Sequence, residues 1–220
     1  MQIKIAVILA GCGKNDGSEI HESVLTLLSI VQNGASYQCF SLNKNQHHVT
    51  NHVTNSIDLS ENRNMLVESA RIARCDIKDL EGLNVDDYDA LIIPGGNGVA
   101  YNLFNLAYVS ENFVVEETIV RVCKEFTKHN KPIGFICIAP AMIPIIYGDK
   151  VSFTIGDDEK IEKSLENIGA THKKSIVSDV VIDKKTKIFS TPAYMLATDI
   201  NQVYISIKNL VDQVIYEIKH

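Results

Sequence analysis

The sequence has no excess of basic charge, no paired-cysteine motif, no long apolar run and no phosphate-loop spacing. Each absence removes a class of function. Lysine and arginine number 21 against 27 aspartates and glutamates, giving a net charge of −6. Nucleic-acid binding needs an electropositive face, so no nucleic-acid partner is expected. The apolar run near the N-terminus, Ile3 to Ala10, is too short to cross a bilayer and has no basic leader or cleavage pattern. No longer run follows, so no membrane association is expected. The five cysteines, Cys12, Cys39, Cys75, Cys123 and Cys137, are scattered, odd in number and without a C-x-x-C pair. That argues against a disulfide framework or a structural zinc site, and it suits reduced thiols in the cytoplasm. Gly11-Cys12-Gly13-Lys14-Asn15 has neither Walker nor dinucleotide-fingerprint spacing, so phosphate binding there is disfavoured. There is no internal repeat, low-complexity tract or interdomain linker.

What is present alternates. The apolar residues 4–10, Tyr37–Leu42, Asp89–Ile93 and Lys131–Ile136 read as buried strands. Helical patterns lie between them: one from about residue 19 to Gly34 capped by Asp16 or Ser18, one over Glu61–Arg74 and one over 113–129. A charged helix from about Asp158 to Asn167 and a final helix from about Asp199 to Glu217 follow, with a hairpin signal at Asp183–Thr186 between them. Strands alternating with helices predict an α/β fold: one domain over residues 1–220, a parallel sheet sandwiched by helices on both faces. Residues 43–74 read as an insertion whose first part is polar and carries His47, His48 and His52. A solvated insertion is favoured there over a metal site, because no carboxylate partner stands at convincing spacing.

The stretch Gly134-Phe135-Ile136-Cys137-Ile138-Ala139-Pro140-Ala141-Met142 places a thiol between a strand and a helix start with Pro140 in its first turn. That is the layout of a nucleophile elbow, and a helix dipole would lower the thiol pKa. The alternative is a small apolar residue on a buried strand. Glu22 stands beyond the C-terminal edge of the first strand, where ligands bind in open α/β sheets; helix capping is the competing explanation for Glu19, His21 and Glu22 alike. Pro94-Gly95-Gly96-Asn97-Gly98 is a turn whose main-chain N–H groups can face a small anion or oxyanion.

Gly17 to Val24, Pro94 to Gly98 and Gly134 to Met142 together resemble the PfpI superfamily, which has the class I glutamine amidotransferase-like (flavodoxin-like) fold. Ala10–Gly13, Asn51–Thr54, Glu61–Asn64 and Thr191–Ala197 extend the resemblance to the ElbB-like branch, the enhancing-lycopene-biosynthesis proteins or isoprenoid biosynthesis glyoxalases. The resemblance implies Cys137 as nucleophile, Glu22 as its acidic partner, and Gly95, Gly96, Asn97 and Ile138 at the oxyanion and substrate site. It implies a glyoxalase-like lyase that turns small 2-oxoaldehydes (glyoxal, methylglyoxal) into 2-hydroxy acids through a cysteine hemithioacetal, with no cofactor or metal. It also implies a homodimer. Protease-like members have histidine after the nucleophile; here that residue is Ile138, which counts against a peptidase. The alternatives are a redox-sensing or chaperone-like protein using an oxidisable Cys137, and a cysteine hydrolase or amidase. Cys12 is a candidate resolving thiol or loop filler.

Overall fold

The computed structural model describes residues 2–166 and 169–220. The first half of the chain runs β1 (Lys4–Ile8), α1 (Ile20–Gln32), β2 (Ser36–Ser41), β3 (Val49–Asn51), β4 (Ser56–Asp58), α2 (Met65–Ile72), β5 (Ile77–Asp79), β6 (Ala90–Ile93) and α3 (Val99–Asn102). The second half runs α4 (Glu117–Lys128), β7 (Ile133–Ile136), α5 (Ile143–Tyr147), β8 (Ser152–Phe153), α6 (Glu159–Glu166), β9 (Thr171–His172), β10 (Val181–Asp183), β11 (Ile188–Thr191) and α7 (Ile200–Lys219).

Seven strands form the central sheet in the order β10-β11-β7-β6-β1-β2-β5. All pairings are parallel except the β10–β11 hairpin at one edge. The fold class expected from the alternating pattern is therefore present, with an antiparallel edge strand added. Helices α1, α2 and α7 pack together on one face, and α4 and α5 on the other. Every residue from Ile5 to Ala10 is fully buried, which is why β1 reads as an unbroken apolar run: both of its faces are covered. Gly134 lets α7 lie close on β7, since a Cβ there would meet Leu210 Cδ2 at 2.8 Å.

Several boundaries differ from expectation. Helix α1 is capped by Glu19, whose carboxylate accepts the Glu22 N–H at 2.7 Å. Ser18 and Asp16 are committed elsewhere: Ser18 Oγ accepts the Ala10 N–H and Asp16 Oδ2 accepts the Thr50 N–H. Helix α2 begins only at Met65, because the Asn64 side chain caps it at the Val67 N–H. Helix α4 starts at Glu117, because Val115 is drawn into a bridge with Phe104. The stretch after Cys137 is a 3-10 turn, Ala139–Met142, before α5 takes over. For the charged helix α6, the expected end at Asn167 lies outside the described residues.

Most of the 43–60 segment is solvent-exposed, as a solvated insertion would be, but its first half is anchored. The segment folds into the β3–β4 hairpin and docks on the loop after β1, with Val49 and Thr50 buried and Gln46 Nε2 donating to the Asp16 carbonyl at 2.8 Å. Its histidines join side chains already present. His47 stacks on Tyr108 and Tyr101, with centroids 4.4 and 5.3 Å away, and His52 Nε2 lies 3.7 Å from Asp16 Oδ1.

Candidate functional site

Strand order reverses between β1 and β6. The chain leaves β1 toward β2 and later returns to β6 on the other side. Loops at such a reversal diverge and leave a crevice beyond the carboxyl ends of the strands. Four loops meet there, following β1, β6, β7 and β11.

Cys137 is the first residue after β7. Its φ is +62°, a left-handed conformation unusual for a residue with a side chain. Its N–H donates to the Thr191 carbonyl at 2.9 Å, which anchors the elbow to the end of β11. Pro140 sits at the start of the 3-10 turn, where a missing N–H leaves nothing unsatisfied. The N–H groups of Gly96 and Ile138 lie beside the Cys137 sulfur and favour its ionised form.

Glu22 comes from the first turn of α1 and is fully buried. Its Oε2 accepts the Gly95 N–H at 3.1 Å, its Oε1 accepts the Tyr194 N–H at 3.2 Å, and the carboxyl lies against the Cys137 thiol, close enough for each to shift the other's pKa. Gly95 is the hinge of this contact. A Cβ there would lie 2.4 Å from the Cys137 Cβ and 2.8 Å from Glu22 Oε2, so only glycine lets carboxyl and thiol meet. Gly96 has φ +116°, which turns its N–H toward the sulfur. The other three N–H groups of this loop are occupied: Gly95 donates to Glu22, and Asn97 and Gly98 donate to the Lys14 carbonyl at 2.6 and 3.4 Å.

Burial raises the Glu22 carboxyl to about 8, and the Glu19 charge adds to the rise. Burial also pushes the Cys137 thiol well up, and a charged Glu22 beside it pushes further; the Gly96 and Ile138 N–H groups pull it down. The lowered thiol pKa expected from a helix dipole is therefore reversed in the resting site. A four-residue 3-10 turn stands where a helix was expected, and desolvation outweighs the donors. Carboxyl and thiol are both largely protonated at neutral pH, and the pair titrates as a unit.

The sulfur opens onto a cleft of about 400 Å3 lined by Lys14, Glu19, His21, Gly96, Asn97, Tyr194 and Met195. His21 Nδ1 and the Tyr194 hydroxyl are paired at 2.8 Å on its wall. The groups acting most on the thiol are burial, Glu22, Gly96 and Ile138; no histidine is among them. Thr191 and Tyr194 lie in a stretch that carried the family resemblance, but neither they nor Lys14 had been given a place at the site. Thr191 ends β11, the strand neighbouring β7, and Pro192-Ala193-Tyr194 follows it, so the strand order is the signal that would have placed them at the site. Cys12 lies elsewhere, in a groove with Tyr37, Ile72 and Arg71 between α1 and α2, and does not line the Cys137 cleft. The glycine loop around it presents no phosphate nest. The Gly11, Gly13 and Gly17 N–H groups are all spent, on Ser69 Oγ and on the Ser18 and Gly13 carbonyls.

A family model described as the DJ-1/PfpI family matches residues 14–186. The chain belongs to this family. The family includes glyoxalase and deglycase, protease and amidotransferase-like members. A human protein, glutamine amidotransferase-like class 1 domain-containing protein 3, mitochondrial, is 35% identical over 96% of this chain and 82% of its own length. The zebrafish ES1 protein, mitochondrial, is 32% identical over 96% of this chain and 84% of its own. Among solved structures, an isoprenoid biosynthesis protein with an amidotransferase-like domain from Ehrlichia chaffeensis matches at 39% identity and TM-score 0.89, covering 97% of this chain and 99% of that one. A DJ-1 mutant from Schizosaccharomyces pombe shares the fold at 17% identity and TM-score 0.59, covering 96% of this chain and 91% of that one. The expected cytoplasmic location does not stand, because the human, rat and zebrafish relatives are all mitochondrial proteins. Unpaired cysteines speak for a reducing compartment and do not separate one such compartment from another.

Proposed function

We propose that this protein is a cofactor-independent, glyoxalase-like enzyme acting on 2-oxoaldehydes. The reading rests on one observation above all: a cleft-facing thiol with two main-chain N–H groups beside its sulfur and a fully buried carboxyl against it. The Cys137 thiol adds to the aldehyde carbon, and its proton ends on the aldehyde oxygen, giving a hemithioacetal. The N–H groups of Gly96 and Ile138, beside the sulfur, are the donors for the aldehyde oxygen, where negative charge develops during the addition. Glu22, as carboxylate, takes the proton from the former aldehyde carbon and returns it to the neighbouring carbon, leaving a thioester. Water hydrolyses the thioester, releasing the 2-hydroxy acid and the free thiol. The sum is 2-oxoaldehyde plus water to 2-hydroxy acid, with no net oxidation. Burial of Glu22 supports its role: a carboxyl with a pKa of about 8 both accepts and returns a proton near neutrality.

The test is glutathione-free conversion of methylglyoxal to lactate by the wild type, Cys137→Ala and Glu22→Gln. Turnover lost in both variants supports both roles. Turnover surviving in Cys137→Ala overturns the mechanism.

A further inference from the structure

The small cleft over Cys137 is not where the crevice ends. A second groove of about 880 Å3 lies directly beside it. Asn97 lines both spaces, and Ile138, whose N–H faces the Cys137 sulfur, turns its side chain into the groove. The groove is built, in part, by the docked 43–60 segment through His48, Thr50 and Ile57, and in part by the stretch after α3.

Its chemistry is uneven. One wall is aromatic. Tyr101 and Tyr108 face it, and His47 behind them stacks on both rings and holds their spacing at 6.1 Å. The other wall is a chain of amides: Asn97 Nδ2 donates to Asn15 Oδ1 at 3.5 Å, and Asn15 Nδ2 to Asn55 Oδ1 at 2.8 Å. Among the described residues that line the groove there is no lysine or arginine, and Asp158 is the one carboxylic acid. The described lining offers an anionic tail no lysine or arginine to pair with. An uncharged ring finds a stacking surface on one side and hydrogen-bonding amides on the other.

We infer that this groove is the subsite for the far end of the substrate, and that the preferred substrate is a carbonyl electrophile carrying an uncharged aromatic or planar group. Methylglyoxal fills only the Cys137 cleft. An aryl 2-oxoaldehyde places its reactive carbon at Cys137 and its ring between Tyr108 and the asparagines. The inference rests on the Cys137 site but not on the glyoxalase reaction.

The experiment compares two alkylating agents with the same reactive group, iodoacetamide and N-benzyl iodoacetamide, with adducts located by peptide mass spectrometry. The expected result is Cys137 labelling about tenfold faster with the benzyl reagent, as burial of a ring predicts. That ratio falls toward one in Tyr108→Ala, which removes the platform, and in Ala107→Trp, which fills the groove from an exposed position. Taking the ratio within each variant cancels any general change in thiol reactivity. A ratio near one in the wild type, or one unchanged in both variants, overturns the subsite. Mandelate formation from phenylglyoxal, measured beside lactate from methylglyoxal, tests the reaction separately. If neither acid forms while the labelling ratio holds, the groove stands and the glyoxalase reading falls.

Discussion

Glu22→Gln separates the electrostatics of the site from its chemistry. Glu22 is fully buried, and burial raises its carboxyl from an ordinary 4.5 to about 8. In the unfolded chain the carboxyl ionises near 4.5; in the fold it stays neutral until about 8. The stability of the neutral, folded form is therefore complete below pH 4.5 and is lost progressively as pH rises to about 8. Over that window the loss runs at about 1.4 kcal/mol per pH unit, reaching about 3 kcal/mol at pH 7 and about 5 kcal/mol above pH 8. Glutamine has the same shape and no charge to lose. It does place an NH2 group against either the Gly95 or the Tyr194 N–H, both of which now donate to Glu22, at a cost of about 1–2 kcal/mol. The variant is thus expected to be no more stable than wild type at pH 5, and about 2 kcal/mol more stable at pH 7. At pH 9 the gap widens to about 3 kcal/mol. Urea unfolding of both proteins at each half unit from pH 4.5 to 9 measures the difference. A difference that stays flat across that range would falsify the claim that burial holds Glu22 neutral in the fold.

Three further outcomes follow from the same geometry. Because Glu22 acts as carboxylate in the proposed reaction, 2-oxoaldehyde turnover should rise with pH and level off above about 8; a rate independent of pH from 6 to 9 removes Glu22 as the base. Gly95→Ala puts a methyl 2.4 Å from the Cys137 Cβ, so it should lower stability by roughly 2 kcal/mol in urea unfolding and slow Cys137 labelling; wild-type behaviour in both would mean the elbow is slack. The exposed apolar stripe Ile20, Val24, Leu28 and Val31 on α1 is the surface we propose for the homodimer that the family resemblance implies, and a monomeric wild type overturns that proposal. Val24→Glu with Leu28→Glu should convert a dimer to monomer by light scattering, and a dimer unmoved by both charges places the interface elsewhere.

The local pattern of residues was enough for the layers and for the elbow. Continuous apolar runs at Ile5–Ala10 and Ala90–Ile93 mark strands covered on both faces, and polar-apolar periodicity marks α1 and α7, because burial on a sheet or on one helix side constrains residue type directly. The positions of Cys137 between a strand and Pro140, of Glu22 in the first turn of α1 and of the paired glycines after β6 were legible in the same way, but their expected roles came from the family resemblance, since a buried strand cysteine and helix capping stayed open. What tertiary structure alone decided is where long-range partners end up. Asp16 and Ser18 are good helix caps by residue type, yet distant N–H groups claim them, and Glu19 caps instead. Nothing in residues 43–60 announces that their histidines will stack behind tyrosines from the stretch after β6. Most consequentially, the sign of the Cys137 pKa shift was not in the sequence. A helix start beside a thiol argues for lowering, but the balance depends on how much water the fold removes and on a carboxyl 115 positions away in the chain. Desolvation and through-space charge belong to the assembled site, and no stretch of residues carries them alone.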